Sequence, residues 1–397
     1  MPEETPRPRS IAALPRVTPP WYKTAKYHVR AWRYRDRYAR NGGVVARLQT
    51  VVREMGRHLV FYVVDSLEEV GGVERKLELQ FAWLREHGIE PVLVTERDDY
   101  AAFKEIPHLF LYHDDPAAEE KLFAMVEALQ PLAVEFNMKG AALFNRVDLA
   151  RLKSLTRVGA MLHGETDVLL ARLPALDFCL ATTSGTRPIA AKAFPNVVQF
   201  PARPVAYNLA ATRALYIGRI DRGKLPTLQT FVEICEKWQV PYQVAGSFST
   251  QSDVVRFQRR LPLAALLGPI DTRAFLAEHG HDYLFVGGVG QVPLEAAAVN
   301  LPALITTHHV HDAMRSAVLT AENMPDFLAW NCVINKMPQG LVASNLDAFF
   351  EALQTAKATD SVTPLMPYRV RNELARRLDV DVVFGEYEAV LLGRVDR

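Results

Sequence analysis

The sequence predicts an α/β protein built from two doubly wound halves. Three observations predict it. The chain has 397 residues, 49% of them hydrophobic, which is enough for two cores of ordinary size. Short apolar runs of strand length alternate with amphipathic stretches of helix length, the pattern of a parallel sheet covered by helices. The alternation occurs twice, interrupted by the proline-marked stretch "NVVQFPARPVAYNLAAT", which reads as a linker.

The elements follow in order. Residues 1–20 are rich in proline and charge. Residues 21–57 are strongly basic, with Asp36 and Glu54 as their only acids. Lys23, Lys26, Arg30, Arg33, Arg37 and Arg40 recur at spacings of three and four, which places them on one helical face. Tyr27, Ala31, Tyr34 and Tyr38 form an adjoining stripe, with Trp21 and Trp32 nearby. "HLVFYVV" opens the first alternation as a strand. A glycine turn and helix follow in "GGVERKLELQFAWLREHG", and "EPVLVTE", "HLFLYH", "LAVEFN", "VGAMLH" and "DFCLAT" are the further strands. The second alternation runs from "ALYIG" through "YQVAGS", "AALLG" and "YLFVGG" to "PALITT", with helical segments between, and "DVDVVFGEYEAVLLGRV" closes the chain as a helix. The expected domains are 1–58, 59–205, 206–375 and a closing helical segment 376–397.

Bulk properties narrow the function. The net charge is +1, which does not point to a nucleic-acid partner, and no recognition motif supports one, so none is expected. Cys179, Cys235 and Cys332 lie far apart, unlike a disulfide framework or a zinc site. No apolar run reaches membrane-spanning length, and the first residues do not read as a secretory signal. The expectation is a cytoplasmic protein, soluble or peripheral at the inner face of a membrane.

In a doubly wound sheet, ligands bind beyond the carboxyl ends of the strands. "ALYIGRIDRGK" places Gly218, Arg219 and Lys224 there, and two cations on one short loop suit a diphosphate. An ordinary solvated loop would carry the same residues. In "YLFVGGVGQVPLEAAAVN", Gly287, Gly288 and Gly290 form a strand-to-helix turn whose backbone N–H groups could approach a phosphate. Glu295 follows on the helix, where a carboxylate can accept hydrogen bonds from a ribose diol or simply complement the helix dipole.

These blocks resemble glycosyltransferases of the GT-B fold, most closely glycosyltransferase family 4 (group 1). "EVGGVERKLELQFAWLREHGIEPVLVTE", "VGAMLHGETD", "ALYIGRIDRGK" and "YLFVGGVGQVPLEAAAVNLPALI" are similar, in order, to the family's glycine loop, cleft histidine, phosphate loop and ribose block. "FGEYEAVLL" resembles the helix that crosses back to the first domain. The resemblance covers roughly residues 60–395. It implies two Rossmann-like domains facing across a cleft, and transfer of a sugar from a nucleotide-sugar donor to an acceptor hydroxyl, in bacterial surface polysaccharide or glycolipid assembly. It implies donor-diphosphate binding by Gly218, Arg219 and Lys224, ribose binding by Glu295, and backbone contacts from Gly71, Gly72, Gly288 and Gly290. His163 would face the transferred sugar. No cofactor or metal is implied.

One departure stands out. The family often carries a carboxylate eight positions before the ribose glutamate, and Gly287 stands there, so retaining and inverting outcomes both stay open. The cluster of His308, His309, His311 and Asp312 invites a metal reading, but a loop lining the site fits the resemblance better. His113 to Pro116, Glu135, Asn137 and Lys139, and also Ser184 and Arg187, end first-half strands as candidate acceptor-side contacts or as ordinary strand-end residues. Residues 21–57 read as a surface for anionic membrane or a phosphorylated acceptor, or as a helix packed on the first half. A nucleotide-sugar epimerase and a non-catalytic scaffold of the same fold remain alternatives.

Overall fold

The computed structural model describes residues 35–64, 72–96, 103–137, 143–162, 171–182, 192–308, 315–334, 337–338 and 341–394. The chain divides into two units. The first holds residues 1–181, 188–192 and 386–397, and the second holds 182–187 and 193–385.

The first unit begins with α1 (Arg35–Met55) and continues β1 (His58–Val64), α2 (Gly72–Glu86), β2 (Ile89–Thr95), β3 (His108–Phe110), α3 (Ala118–Leu129), β4 (Ala133–Asn137), α4 (Leu149–Leu155), β5 (Arg157–Leu162) and β6 (Phe178–Ala181). The two-residue β7 (Lys192–Ala193) ends the sheet, whose order is β3-β2-β1-β4-β5-β6-β7. The registered pairs from β3 to β6 are parallel. β1 beyond His58 and most of β2 are apolar, β4 carries Glu135 and Asn137 among apolar residues, and all three are buried on both faces apart from His58, as a helix-covered parallel sheet requires.

Helix α1 is packed rather than free. Asn41 Nδ2 donates to the Phe110 carbonyl at 2.8 Å, and its Oδ1 accepts from the Phe110 N–H at 2.8 Å. One side-chain amide thus pairs with the outer edge of β3 as a further strand would. Tyr38 accepts from the Tyr112 N–H and donates to Asp115 Oδ2 at 3.0 Å, while Lys121 Nζ lies 3.6 Å from its ring centre. Leu48 is buried in the core with Leu122 and Val126. Arg35, Arg40, Arg47 and Arg53 stay exposed. The packed-helix reading therefore holds for this segment, with a basic outer face. Lys23, Lys26, Arg30, Arg33, Tyr27, Ala31, Tyr34, Trp21 and Trp32 lie outside the described residues.

The second unit contains β8 (Arg213–Ile217), α5 (Leu225–Lys237), β9 (Tyr242–Ala245), α6 (Ser252–Gln258), β10 (Leu266–Gly268), α7 (Thr272–His279), β11 (Tyr283–Gly288), α8 (Gln291–Ala298), β12 (Ala303–Ile305) and β13 (Ala317–Val318). α9 (Met324–Ala329), α10 (Leu346–Thr359) and α11 (Pro367–Leu378) follow. The sheet order is β10-β9-β8-β11-β12-β13, parallel except for the last pair. One core packs α5 and α10 against one face, and another packs α8, α9 and α11 against the other. The stretch expected as a linker belongs to this unit: Val198 N–H donates to Leu378, Val205 N–H donates to Val299, and Gln291 Nε2 donates to Val197. The closing helix α12 (Val380–Leu391) carries the chain from the second unit into the first.

The first unit buries a polar chain against its sheet. Gln80 Nε2 donates to the Tyr62 hydroxyl at 3.1 Å, the Tyr62 and Tyr387 hydroxyls lie 2.8 Å apart, and Tyr387 donates to Glu135 Oε2 at 2.7 Å. All four side chains are fully buried. Lys76, on the same helix as Gln80, is buried beside them, and burial holds its ammonium well below the usual lysine range. Burial raises the Glu135 carboxyl from 4.5 to about 7, with Tyr387, Lys76 and Asn137 opposing the rise in part. In the unfolded chain that carboxyl ionises near its ordinary value. Between the two values the folded state holds a proton that the unfolded state has lost, so stability falls as pH rises through this window. Glu135→Gln keeps an acceptor for Tyr387 and removes the ionisation. Denaturant midpoints should therefore diverge between pH about 4.5 and about 7, with the variant ahead by up to ~3 kcal/mol at neutral pH and above. Parallel wild-type and variant curves across that window would contradict the assignment.

Candidate functional site

The two predicted loops leave the second sheet side by side. β8 and β11 are parallel neighbours, with Tyr216 opposite Gly287. From β8 the chain runs outward to β9 and β10, then returns to place β11 on the other flank of β8. The strand order reverses there, and ligands of open α/β sheets bind outside the carboxyl ends at such a point. Gly218 follows β8, and Gly288 ends β11.

Backbone crowding explains the glycines. Gly246, just past β9, has φ +141°, and a Cβ on it would lie 1.8 Å from the Gly218 carbonyl oxygen. A Cβ on Gly288 would lie 3.0 Å from the Ile217 carbonyl oxygen and 2.9 Å from Val292. Gly290 has φ +68° at the N-cap of α8, a left-handed geometry that favours glycine.

The cations sit on a tight turn. Asp221 Oδ1 accepts from the Lys224 N–H at 3.0 Å, and its carbonyl accepts from the Lys224 and Leu225 N–H groups. Lys224 is thereby fixed at the N-cap of α5, where the positive helix end adds to its charge. Arg219 is more than half exposed, with its Nε 3.6 Å from Asp221 Oδ2. Lys224 is half-buried, and burial, then repulsion from Arg219, holds its ammonium below the usual lysine range, while Asp221 partly opposes. A half-desolvated lysine beside an arginine gains more from an anion than a solvated one would.

Glu295 lies on α8 and is buried at 4% exposure. Gly287 has a structural reason. It faces α5, and a Cβ there would lie 2.4 Å from the Phe231 ring, which is itself fully buried. A carboxylate at this position would be forced into the apolar core.

The remaining candidates divide between placed and undescribed. Gly72 opens α2, while Gly71 lies outside the described residues. So do His163, Lys139, Ser184, Arg187, His309, His311 and Asp312. His308 is half-buried after β12. Among the described residues no group of three His, Cys, Asp or Glu is placed to hold a metal ion, and no helix is long and apolar enough to cross a membrane. Glu135 belongs to the buried chain described above, and Asn137 is buried at the end of β4. His113 and Asp115 are buried, Asp115 receiving Tyr38 and Lys121. Neither acid is an open contact surface.

No protein-family model matches the chain, and no curated protein matches it in sequence. Solved structures do match. A glycosyltransferase from Rickettsia africae ESF-5 superposes with a TM-score of 0.58 at 12% identity, over 85% of this chain and 98% of that one. The fold is GT-B. Anabaena Alr3699/HepE, solved in complex with UDP and glucose, gives 0.54 at 11% identity over 84% and 98%. An α-glucosyltransferase in complex with UDP and a 13-mer DNA containing an HMU base gives 0.56 at 12% over 85% and 100%. At these identities the likeness is one of fold; membership of family 4 is not shown by it.

Several residues that shape the site escaped the sequence reading. Asp221 was visible within the motif, and its fixed spacing to Lys224 was a turn signal. Gly246 was visible as a glycine at a strand end. Phe231 was not, because nothing local ties it to Gly287. Gly287→Ala should lower unfolding free energy by ~1–3 kcal/mol through overpacking, with Phe231→Leu restoring part of the loss in the double variant. Chemical denaturation of the single and double variants checks both.

Proposed function

We propose that the chain is a glycosyltransferase that moves a sugar from a nucleotide-sugar donor to a hydroxyl of a carbohydrate or glycolipid acceptor, in bacterial surface-glycan assembly. The observation that carries this reading is the pair Arg219 and Lys224, held on one turn at the strand-order reversal, beside the glycine turn and Glu295 helix of the neighbouring strand. UDP in structures of the same fold supports it. In such a transfer the bond between the sugar carbon and the diphosphate oxygen breaks with its electron pair on that oxygen, while the acceptor oxygen bonds to the same carbon and releases its proton, so negative charge builds on the departing diphosphate. Arg219 offers a planar fork of donors, and Lys224 a desolvated point charge at a helix N-terminus. Stabilisation that grows as this charge grows lowers the barrier, which is the work a metal ion does elsewhere. The reaction is accordingly proposed as metal-independent, and kinship with glycosyltransferase family 4 is proposed with it. Glu295 would hold the ribose. The roles of His163 with the transferred sugar and of Gly71 and Gly72 with phosphates or acceptor rest on the sequence resemblance alone. The exposed arginines of α1 extend the proposal to an anionic membrane surface contacted through residues 21–57.

Calorimetry with nucleoside diphosphates, then product analysis with nucleotide sugars, tests the reading. Arg219→Ala and Lys224→Ala should each weaken diphosphate binding by roughly tenfold or more without lowering the unfolding midpoint. Unchanged binding in both variants would remove the assignment. A changed sugar formed from donor alone would indicate an epimerase, and binding without turnover a scaffold. Lys224 has a lowered pKa in the free protein, and a bound diphosphate would raise it. Binding then takes up a proton at alkaline pH, so affinity should fall as pH climbs through the free lysine's pKa, and this slope should flatten in Lys224→Met.

A further inference from the structure

We propose that Tyr216 and Thr227 are positioning residues that brace both ends of the cation loop and aim Lys224 at the donor diphosphate. The inference rests on the reading of Lys224 given above.

Thr227 Oγ1 lies 2.7 Å from the Lys224 carbonyl oxygen, which can only accept, so the threonine hydroxyl donates there. That hydroxyl has one hydrogen. The Tyr216 hydroxyl, 2.5 Å from the same Oγ1, must therefore be the donor to it. The result is a directed chain from the Tyr216 O–H through Thr227 to the Lys224 main chain. Tyr216 is 1% exposed and Thr227 is 0% exposed, so water does not compete for these bonds.

The tyrosine also supports the other end of the loop. A Cβ on Gly218 would lie 3.2 Å from Tyr216 Cε1 and 3.4 Å from its hydroxyl oxygen, so the phenol crowds the side-chain space at Gly218. One rigid ring thus lies beside the start of the loop and, through Thr227, is bonded to its finish. The Phe231 ring holds the tyrosine from the side, with centroids 5.4 Å apart, and it occupies the space that glycine leaves at position 287. A loop carrying two like charges would otherwise be free to splay them apart. Phenol and threonine hydroxyl do not face solvent, so their part is to fix Lys224 rather than to meet the ligand.

Calorimetry on the full chain, with UDP and separately with inorganic pyrophosphate, tests this in Tyr216→Phe, Thr227→Val and Thr227→Ser, with Lys224→Ala as the second background. Tyr216→Phe keeps the ring and removes one donor. It and Thr227→Val should weaken binding ~3- to 10-fold, the range of one neutral hydrogen bond. Thr227→Ser, which keeps the hydroxyl, should stay within ~2-fold of wild type. In the Lys224→Ala background, Tyr216→Phe should cost less than ~2-fold, because the lysine it aims is gone. A loss of the same size in both backgrounds would reduce Tyr216 to a general structural residue and overturn the inference. Wild-type affinity in Tyr216→Phe and Thr227→Val would overturn it as well, while leaving the diphosphate site intact. If the wild-type chain binds neither UDP nor pyrophosphate, the functional reading fails and this inference fails with it. Unfolding midpoints of every variant separate loss of fold from loss of aim.

Discussion

The close approach of main chain to main chain at the carboxyl edge of the second sheet governs everything proposed for that unit. Gly246 lets the turn after β9 touch the Gly218 carbonyl, and Gly288 lets the end of β11 touch the Ile217 carbonyl. With side chains at these positions the three strand ends would be wedged apart, and the two loops would emerge from separate places. Phe231 makes the same point from inside the sheet. Its ring lies across β8 and β11 at matching register, against Tyr216 on one strand and over Gly287 on the other. The charged turn is thus built outward from an apolar wedge.

The first unit shows a different solution to a different problem. Its closing helix contributes Tyr387 to a chain of hydroxyls that ends on a carboxylate in the centre of the sheet. Such a chain is costly to bury and is tolerated when its members satisfy one another. Its apolar surroundings favour the neutral carboxyl, against the opposing pull of Tyr387, Lys76 and Asn137. The helix that runs from one unit into the other is therefore anchored by direction-specific bonds as well as by packing of Val390 and Leu391.

Much of the architecture was legible in the sequence because it is local. Alternating apolar runs and amphipathic segments gave the parallel strands and their helices, and glycine followed by spaced cations marked the loop after β8. The two-residue β7 and β13 were not legible, since a bridge of that length leaves no periodic signal. Neither was the union of Glu135 with Tyr387, which are 252 residues apart. The departure at Gly287 could be seen as an oddity, but its reason needed the ring of Phe231 from helix α5. The stretch 196–212 looked like a linker from its prolines, yet its backbone bonds to Leu378 of α11 and to Val299 just after α8 make it part of the second unit. Composition alone could not separate a basic helix that packs from one that is solvated, because its buried side is narrow: Leu48 enters the core, and Asn41 and Tyr38 add polar anchors that no apolar pattern reveals.

The amide of Asn41 also has a bearing on the free margin of the first sheet. The outer backbone of β3 is a sheet margin, and unpaired margins recruit strands from other molecules. By filling the donor and acceptor of Phe110 itself, α1 denies that margin to a neighbour. A chain clipped between Met55 and His58 would expose a ready docking rail for a sister copy, and light scattering after such a cut would register the self-association.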